Sequence, residues 1–102
     1  MTDIRPIVIP WDFSEPAEFA LEHSVIIAKT VGCDIILLHI VKKKAEIESS
    51  TERMEEAVIE HNERYGIKPK YIVKEGSIFT DINKIIEEKN AFFAVMGTHG
   101  IK

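Results

Sequence analysis

The chain has 102 residues, 45% of them hydrophobic and 29% charged, and its 17 acidic against 13 basic side chains leave a formal charge of -4. A chain of this size makes one small domain that buries roughly 65% of its unfolded surface, and the single cysteine, Cys33, excludes a disulfide scaffold. No apolar run approaches the ~20 residues of a membrane span, and the acidic balance excludes a general nucleic-acid binder, which carries a basic stripe.

The N-terminus does not read as a signal peptide, because Asp3, Arg5 and Pro6 interrupt any apolar core. With a free thiol and no export signal, the expected compartment is the cytoplasm. Residues 4–10 (IRPIVIP) read as a first strand, with Pro6 near its start where a missing ladder donor is tolerated. The turn D-F-S-E-P then carries helix-start signals: Ser14 as N-cap, Glu15 at the positive end of the dipole, Pro16 in the first turn. Apolar residues at Ala17, Ala20, Leu21, Val25 and Ala28 keep helical spacing until Gly32 supplies a left-handed stop, so the first helix spans residues 15–31.

Residues 34–41 (DIILLHIV) form a near-continuous apolar run of strand length, the pattern of a strand covered on both faces. His39 within it is expected to be a hydrogen-bonded core histidine. After Lys42, Lys43 and Lys44, the residues Ile47, Thr51, Met54, Val58, His61 and Tyr65 mark one stripe of an amphipathic second helix that Gly66 ends. Its remaining face holds the acidity of the chain: seven Glu and two Arg between Ala45 and Tyr65 give a net of -5, which leaves +1 for everything else. The simplest account is a solvated helix face. A short third strand at 70–75 (KYIVKE) leads through Gly76 and Ser77 into a third helix with Ile78, Phe79, Ile82, Ile85 and Ile86 on one side, and 91–96 (AFFAVM) reads as a fourth strand.

Strands alternating with helices at this spacing imply an α/β fold, an open parallel sheet with helices on both faces, joined by right-handed crossovers. The fourth strand is apolar on both faces, yet only three helices are available to cover four strands. A further helix and strand are therefore expected outside residues 1–102, which form a single domain incomplete at its C-terminal side.

Ligands of such sheets bind beyond the carboxyl ends of the strands. The first such turn is W-D-F-S-E, without the glycines a dinucleotide fingerprint needs, and no P-loop or nucleophile motif occurs elsewhere. The four histidines lie in separate elements, so no metal site is expected. What remains is Asp12 at one strand end and Gly97-Thr98-His99-Gly100 at another. A carboxylate at Asp12 suits ribose hydroxyls or an exocyclic amine, and glycines at 97 and 100 let backbone N–H groups converge on an anion. The plainer alternatives are a helix-start aspartate and a strand-ending turn.

Together these residues resemble the universal stress protein family. The likeness covers the whole chain: D-F-S-E (Asp12 to Glu15), L-L-H-I-V (Leu37 to Val41), V-K-E-G-S (Val73 to Ser77) and V-M-G-T-H-G (Val95 to Gly100) follow the family's order and spacing. The resemblance implies a five-stranded sheet of order 3-2-1-4-5, of which this chain carries 3-2-1-4 and lacks the fifth strand. It implies a stress-response protein that binds ATP or AMP through a loop G-x-x-G followed at a fixed distance by Gly and Ser or Thr. Carried over, Asp12 contacts the adenosine, Ile40 lines the adenine pocket, and Met96, Gly97 and Gly100 begin the nucleotide loop; the closing glycine and hydroxyl fall beyond Lys102. The family's fifth strand commonly mediates dimerisation, so a homodimer or a tandem second domain is implied as partner. Trp11, bulkier than the family's usual small residue there, either crowds the adenine pocket or packs under the first helix.

The alternative within the same family is an interaction or dimerisation module that binds no nucleotide, its acidic helix meeting a partner. An enzyme is the weakest reading: no residue is placed to activate a nucleophile, and His99 has no identifiable orienting partner.

Overall fold

In a computed structural model of the chain, residues 5–89 and 93–94 are described. The elements are β1 (Ile7–Pro10), α1 (Glu15–Val31), β2 (Ile35–Val41), a short 3-10 turn (Lys44–Glu46), α2 (Ile47–Tyr65), β3 (Lys70–Glu75), α3 (Ile78–Glu88) and β4 (Phe93–Ala94). The strands form one parallel sheet of order β3-β2-β1-β4, the order that the family resemblance implies.

Local chemistry sets the element ends. Ser14 Oγ accepts from the Ala17 N–H at 3.3 Å and caps α1, which Gly32 closes at φ 83° with its N–H on the Ala28 carbonyl at 2.7 Å. β1 is shorter than the sequence suggests, because Pro6 has no N–H for the ladder; the pairing begins where Ile7 N–H reaches the Asp34 carbonyl at 2.9 Å. The second helix begins with the 3-10 turn, and of the expected fourth strand only Phe93–Ala94 falls within the described residues.

Side chains alternate across the sheet, and each face of β1 and β2 packs into an apolar cluster. Ile7, Ile9, Ile35 and Leu37 pack under α1 and α2 against Leu21, Val25, Met54 and Val58. Val8, Ile36 and Leu38 point to the opposite face and meet Ile85 of α3, with Ile82 and Ile86 beside it. That two-sided cover is why β2 reads as an unbroken apolar run. The glutamates of α2 lie on its exposed side, as expected.

The start of α3 is held by its own fourth residue. Asp81 Oδ2 accepts from the Ser77 N–H at 2.8 Å and Oδ1 pairs with Lys74 Nζ at 3.2 Å, while the Ser77 side chain makes no cap bond. The Ser77 N–H, and then Lys74, hold the Asp81 carboxyl below the usual carboxylate range. A carboxylate whose folded pKa is depressed contributes stability above its unfolded pKa of about 3.9, and that contribution is lost as pH falls through the folded value. Wild type is therefore expected to exceed Asp81→Asn in urea midpoint at about pH 6. The gap should narrow progressively below about pH 4. An equal gap at both pH values counts against this assignment.

Candidate functional site

The carboxyl ends of β1 and β2 lie side by side. The parallel ladder continues one residue past β1, where Trp11 N–H donates to the Leu38 carbonyl at 2.7 Å. Pro10 pairs with Leu38, so Asp12 and Ile40 each stand two residues beyond the same register pair. Asp12 is exposed, and its Oδ1 accepts from both the N–H and the hydroxyl of Ser14, the former at 3.1 Å. It thus builds the turn that launches α1. Ile40 is half-buried and packs beside the α3-side core. The sheet also brings β4 against β1, with Val8 opposite Ala94. Met96, Gly97 and Gly100, together with His99, lie outside the described residues.

Trp11 packs under α1 and α2: it is 4% exposed and belongs to the core cluster on that side. Of the two places the sequence left open for it, the core is the one it occupies. Its ring meets His61 edge-on at 5.1 Å. His61, 1% exposed on α2, has Nε2 3.4 Å from Glu18 of α1, whose other oxygen accepts from the Tyr65 hydroxyl at 2.9 Å. A polar knot between the helices thus lies beneath the tryptophan. Its members are 43 and 47 residues apart in sequence, so no local pattern could have revealed it.

Phe13 adopts φ 62°, a left-handed conformation that costs a non-glycine residue roughly 1–2 kcal/mol. Three contacts hold it there. The Arg53 guanidinium lies 3.9 Å from the ring centroid, the His39 ring approaches at 5.0 Å, and Trp11 at 6.3 Å. His39 is hydrogen-bonded as expected, its Nδ1 donating to the Trp11 carbonyl at 2.6 Å, though it is half-buried and not deep in the core. Sequence reasoning passed over Phe13 and Arg53 as site residues. The one available signal was Arg53 itself, a cation set among glutamates.

A cavity of about 350 Å³ opens at the end of β2 against the first turns of α2. His39, Ile40, Val41, Lys42, Ser50 and Arg53 contribute to its walls. Among the described residues no cluster of three or more His, Cys, Asp or Glu could hold a metal ion, and no helix is long and apolar enough to cross a membrane. Cys33 is buried, and desolvation followed by the charge of Asp34 pushes its thiol pKa up, opposite to what a nucleophile needs.

Comparison with known proteins gives the same frame. The model of the universal stress protein family matches residues 3–102. Universal stress protein MJ0577 of Methanocaldococcus jannaschii is 27% identical over 125 residues, covering 94% of this chain and 77% of the relative. The solved structure of MJ0577 superposes with a TM-score of 0.76 at 29% identity, covering 94% of this chain and 76% of that one. A universal stress protein from Archaeoglobus fulgidus DSM 4304 matches at 24% identity and a TM-score of 0.67 over 96% of this chain, which spans only 34% of that longer protein. Protein Rv1636 of Mycobacterium tuberculosis H37Rv shares the fold at 16% identity, with a TM-score of 0.75 over all of this chain and 77% of that one.

Proposed function

Because the chain belongs to the universal stress protein family, we propose that it binds an adenine nucleotide, ATP or AMP, at the carboxyl ends of β1, β2 and β4. Asp12 accepts from ribose hydroxyls, Ile40 lies against the adenine, and Met96, Gly97 and Gly100 begin the phosphate loop. The observation that carries this reading is the juxtaposition of Asp12 and Ile40 on neighbouring strand ends, with β1 between β2 and β4.

The chemistry is binding and involves no covalent step. A carboxylate paired with hydroxyl donors suits the sugar and repels phosphate, so the triphosphate or monophosphate runs away from Asp12 towards the glycine loop, where bare N–H groups accept negative charge. The apolar flank of Ile40 supplies a surface for the base. The protein acts as a stress-response component through a dimer or a second domain of the same kind.

Equilibrium dialysis of the chain with labelled ATP and AMP tests the site. Asp12→Ala removes a hydrogen-bonded charge and is expected to weaken binding about tenfold, with Gly97→Val weakening it independently. Unchanged affinity in both variants overturns the assignment. Absence of any nucleotide binding by wild type favours the module that binds no nucleotide, with the acidic face of α2 as its contact surface.

A further inference from the structure

The cavity at the end of β2 has a character that the adenine reading does not use. Lys42 and Arg53 bring two cations to its wall. Arg53 sits in the segment holding seven of the chain's glutamates, yet among the described residues no carboxylate pairs with it; its guanidinium rests on Phe13 instead. Arg64, in the same segment, behaves as expected and bonds Glu60 at 2.9 Å. Lys42 likewise has no carboxylate partner among the described residues, whereas Lys70 and Lys74 each have one.

A second observation is independent of the charges. Ser50 lines the cavity, and its hydroxyl, which makes no hydrogen bond among the described residues, is open to solvent there. Ser49 stands beside it in the lining, at the positive end of α2. His39 has Nδ1 engaged by the Trp11 carbonyl, which leaves Nε2 for a ligand. Glu46 also reaches the wall, but its Oε1 accepts from the Lys43 N–H at 3.2 Å and so is tied to the backbone.

The geometry points to a binding site for a phosphate-type oxyanion in this cavity, held by Arg53, Lys42 and the Ser50 hydroxyl. The guanidinium, fixed over an aromatic ring, presents its N–H edge with little loss of freedom on binding. A phosphomonoester titrates near pH 6. With Nδ1 donating to the Trp11 carbonyl, His39 Nε2 offers a lone pair to a P–OH donor. The cavity lies at the end of β2, a strand that β1 separates from β4. This assignment stands whether or not the nucleotide reading holds.

Titration of the chain with inorganic phosphate, followed by the His39 ring resonances, tests it. A saturable shift is expected in wild type, with Arg53→Gln and Ser50→Ala each weakening phosphate binding about tenfold and Lys68→Gln, on another surface, leaving it unchanged. A shift that does not saturate, or equal weakening by Lys68→Gln, overturns the proposal by showing ionic atmosphere alone. The source of the phosphate follows from a second arm. If adenosine and inorganic phosphate bind together without competition, and Arg53→Gln spares AMP affinity, the occupant is a separate phosphomonoester. If Arg53→Gln weakens AMP and phosphate alike, the same oxyanion site holds the nucleotide's own phosphate. Loss of phosphate binding only when the fold is lost, judged by circular dichroism, counts against it.

Discussion

Trp11→Ala is expected to lose about 3–5 kcal/mol of folding stability, a large share of the 5–15 kcal/mol typical of a whole domain. The ring is 4% exposed, sits on the extension of the β1 ladder, and fills the space between β1, α1 and α2 against His61. Trp11 N–H on the Leu38 carbonyl at 2.7 Å holds the backbone in register, so the void is expected to close only in part. Trp11→Phe should behave differently. The indole Nε1 and His61 Nδ1 are both buried with no hydrogen-bond partner among the described residues. Phenylalanine keeps most of the apolar volume while removing one such orphan, and its cost should stay within about 1.5 kcal/mol. Urea unfolding followed by far-ultraviolet circular dichroism separates the two. Similar midpoints for both variants would show that the ring's bulk is not what matters. The same void lies beside the Phe13 ring, 6.3 Å from Trp11, so ligand affinity should fall in Trp11→Ala even where the protein remains folded.

Gly76→Ala is the second large effect, and its cause is steric. A Cβ built at residue 76 would meet Asp81 Oδ2 at 2.1 Å and its carboxyl carbon at 3.0 Å, and the backbone there has φ +156°. The carboxylate cannot simply swing aside, because it receives the Ser77 N–H and pairs with Lys74. Adding a methyl group therefore forces either the helix start or the β3 end to move, at the 1–3 kcal/mol cost of roughly one overpacked site. Gly76 N–H also donates to the Val41 carbonyl at 3.1 Å, which ties this turn to the end of β2 and to the cavity beside it. Thermal denaturation of Gly76→Ala beside the double variant Gly76→Ala with Asp81→Ala checks the cause. Removal of the carboxylate should recover part of the loss; if it adds fully to it, the clash is not with Asp81.

How much of this was readable beforehand depends on the range of the interaction. The bounds of α1 and β3 follow residue by residue from Ser14, Gly32 and the KYIVKE run, since caps and strand alternation act over a few residues. The unbroken apolar run of β2 correctly announced a strand with cover on both faces. The trimming of β1 came from Pro6, whose missing donor matters only once a neighbouring strand is specified. Asp81 as the latch of α3 was not foreseen either, because Ser77 looks like an adequate cap and only the backbone at Gly76 shows why the carboxylate takes that place.

The candidate site divides in the same way. Asp12 was identifiable as a residue just beyond a strand end, whereas Ile40 entered only through the family resemblance, from which the roles proposed for both are taken. The cluster of Phe13, His39 and Arg53 was not, since it joins residues from three separate elements through ring and guanidinium contacts that leave no periodic trace.

By itself, then, the sequence of this protein determined the alternation of strands and helices, the turns that start and stop them, and the strand ends at which a ligand would be sought. Those features are written in backbone preferences and in one-dimensional spacing of apolar residues. Only the tertiary structure decided that Trp11 packs beneath the helices, that Arg53 rests on a left-handed Phe13 instead of on a glutamate, and that a cavity with an unpartnered Ser50 opens beside them. The physical reason is that sheet order and crossover hand, not proximity in the chain, select which side chains meet, and contacts between residues some 40 positions apart exist only after the strands have paired.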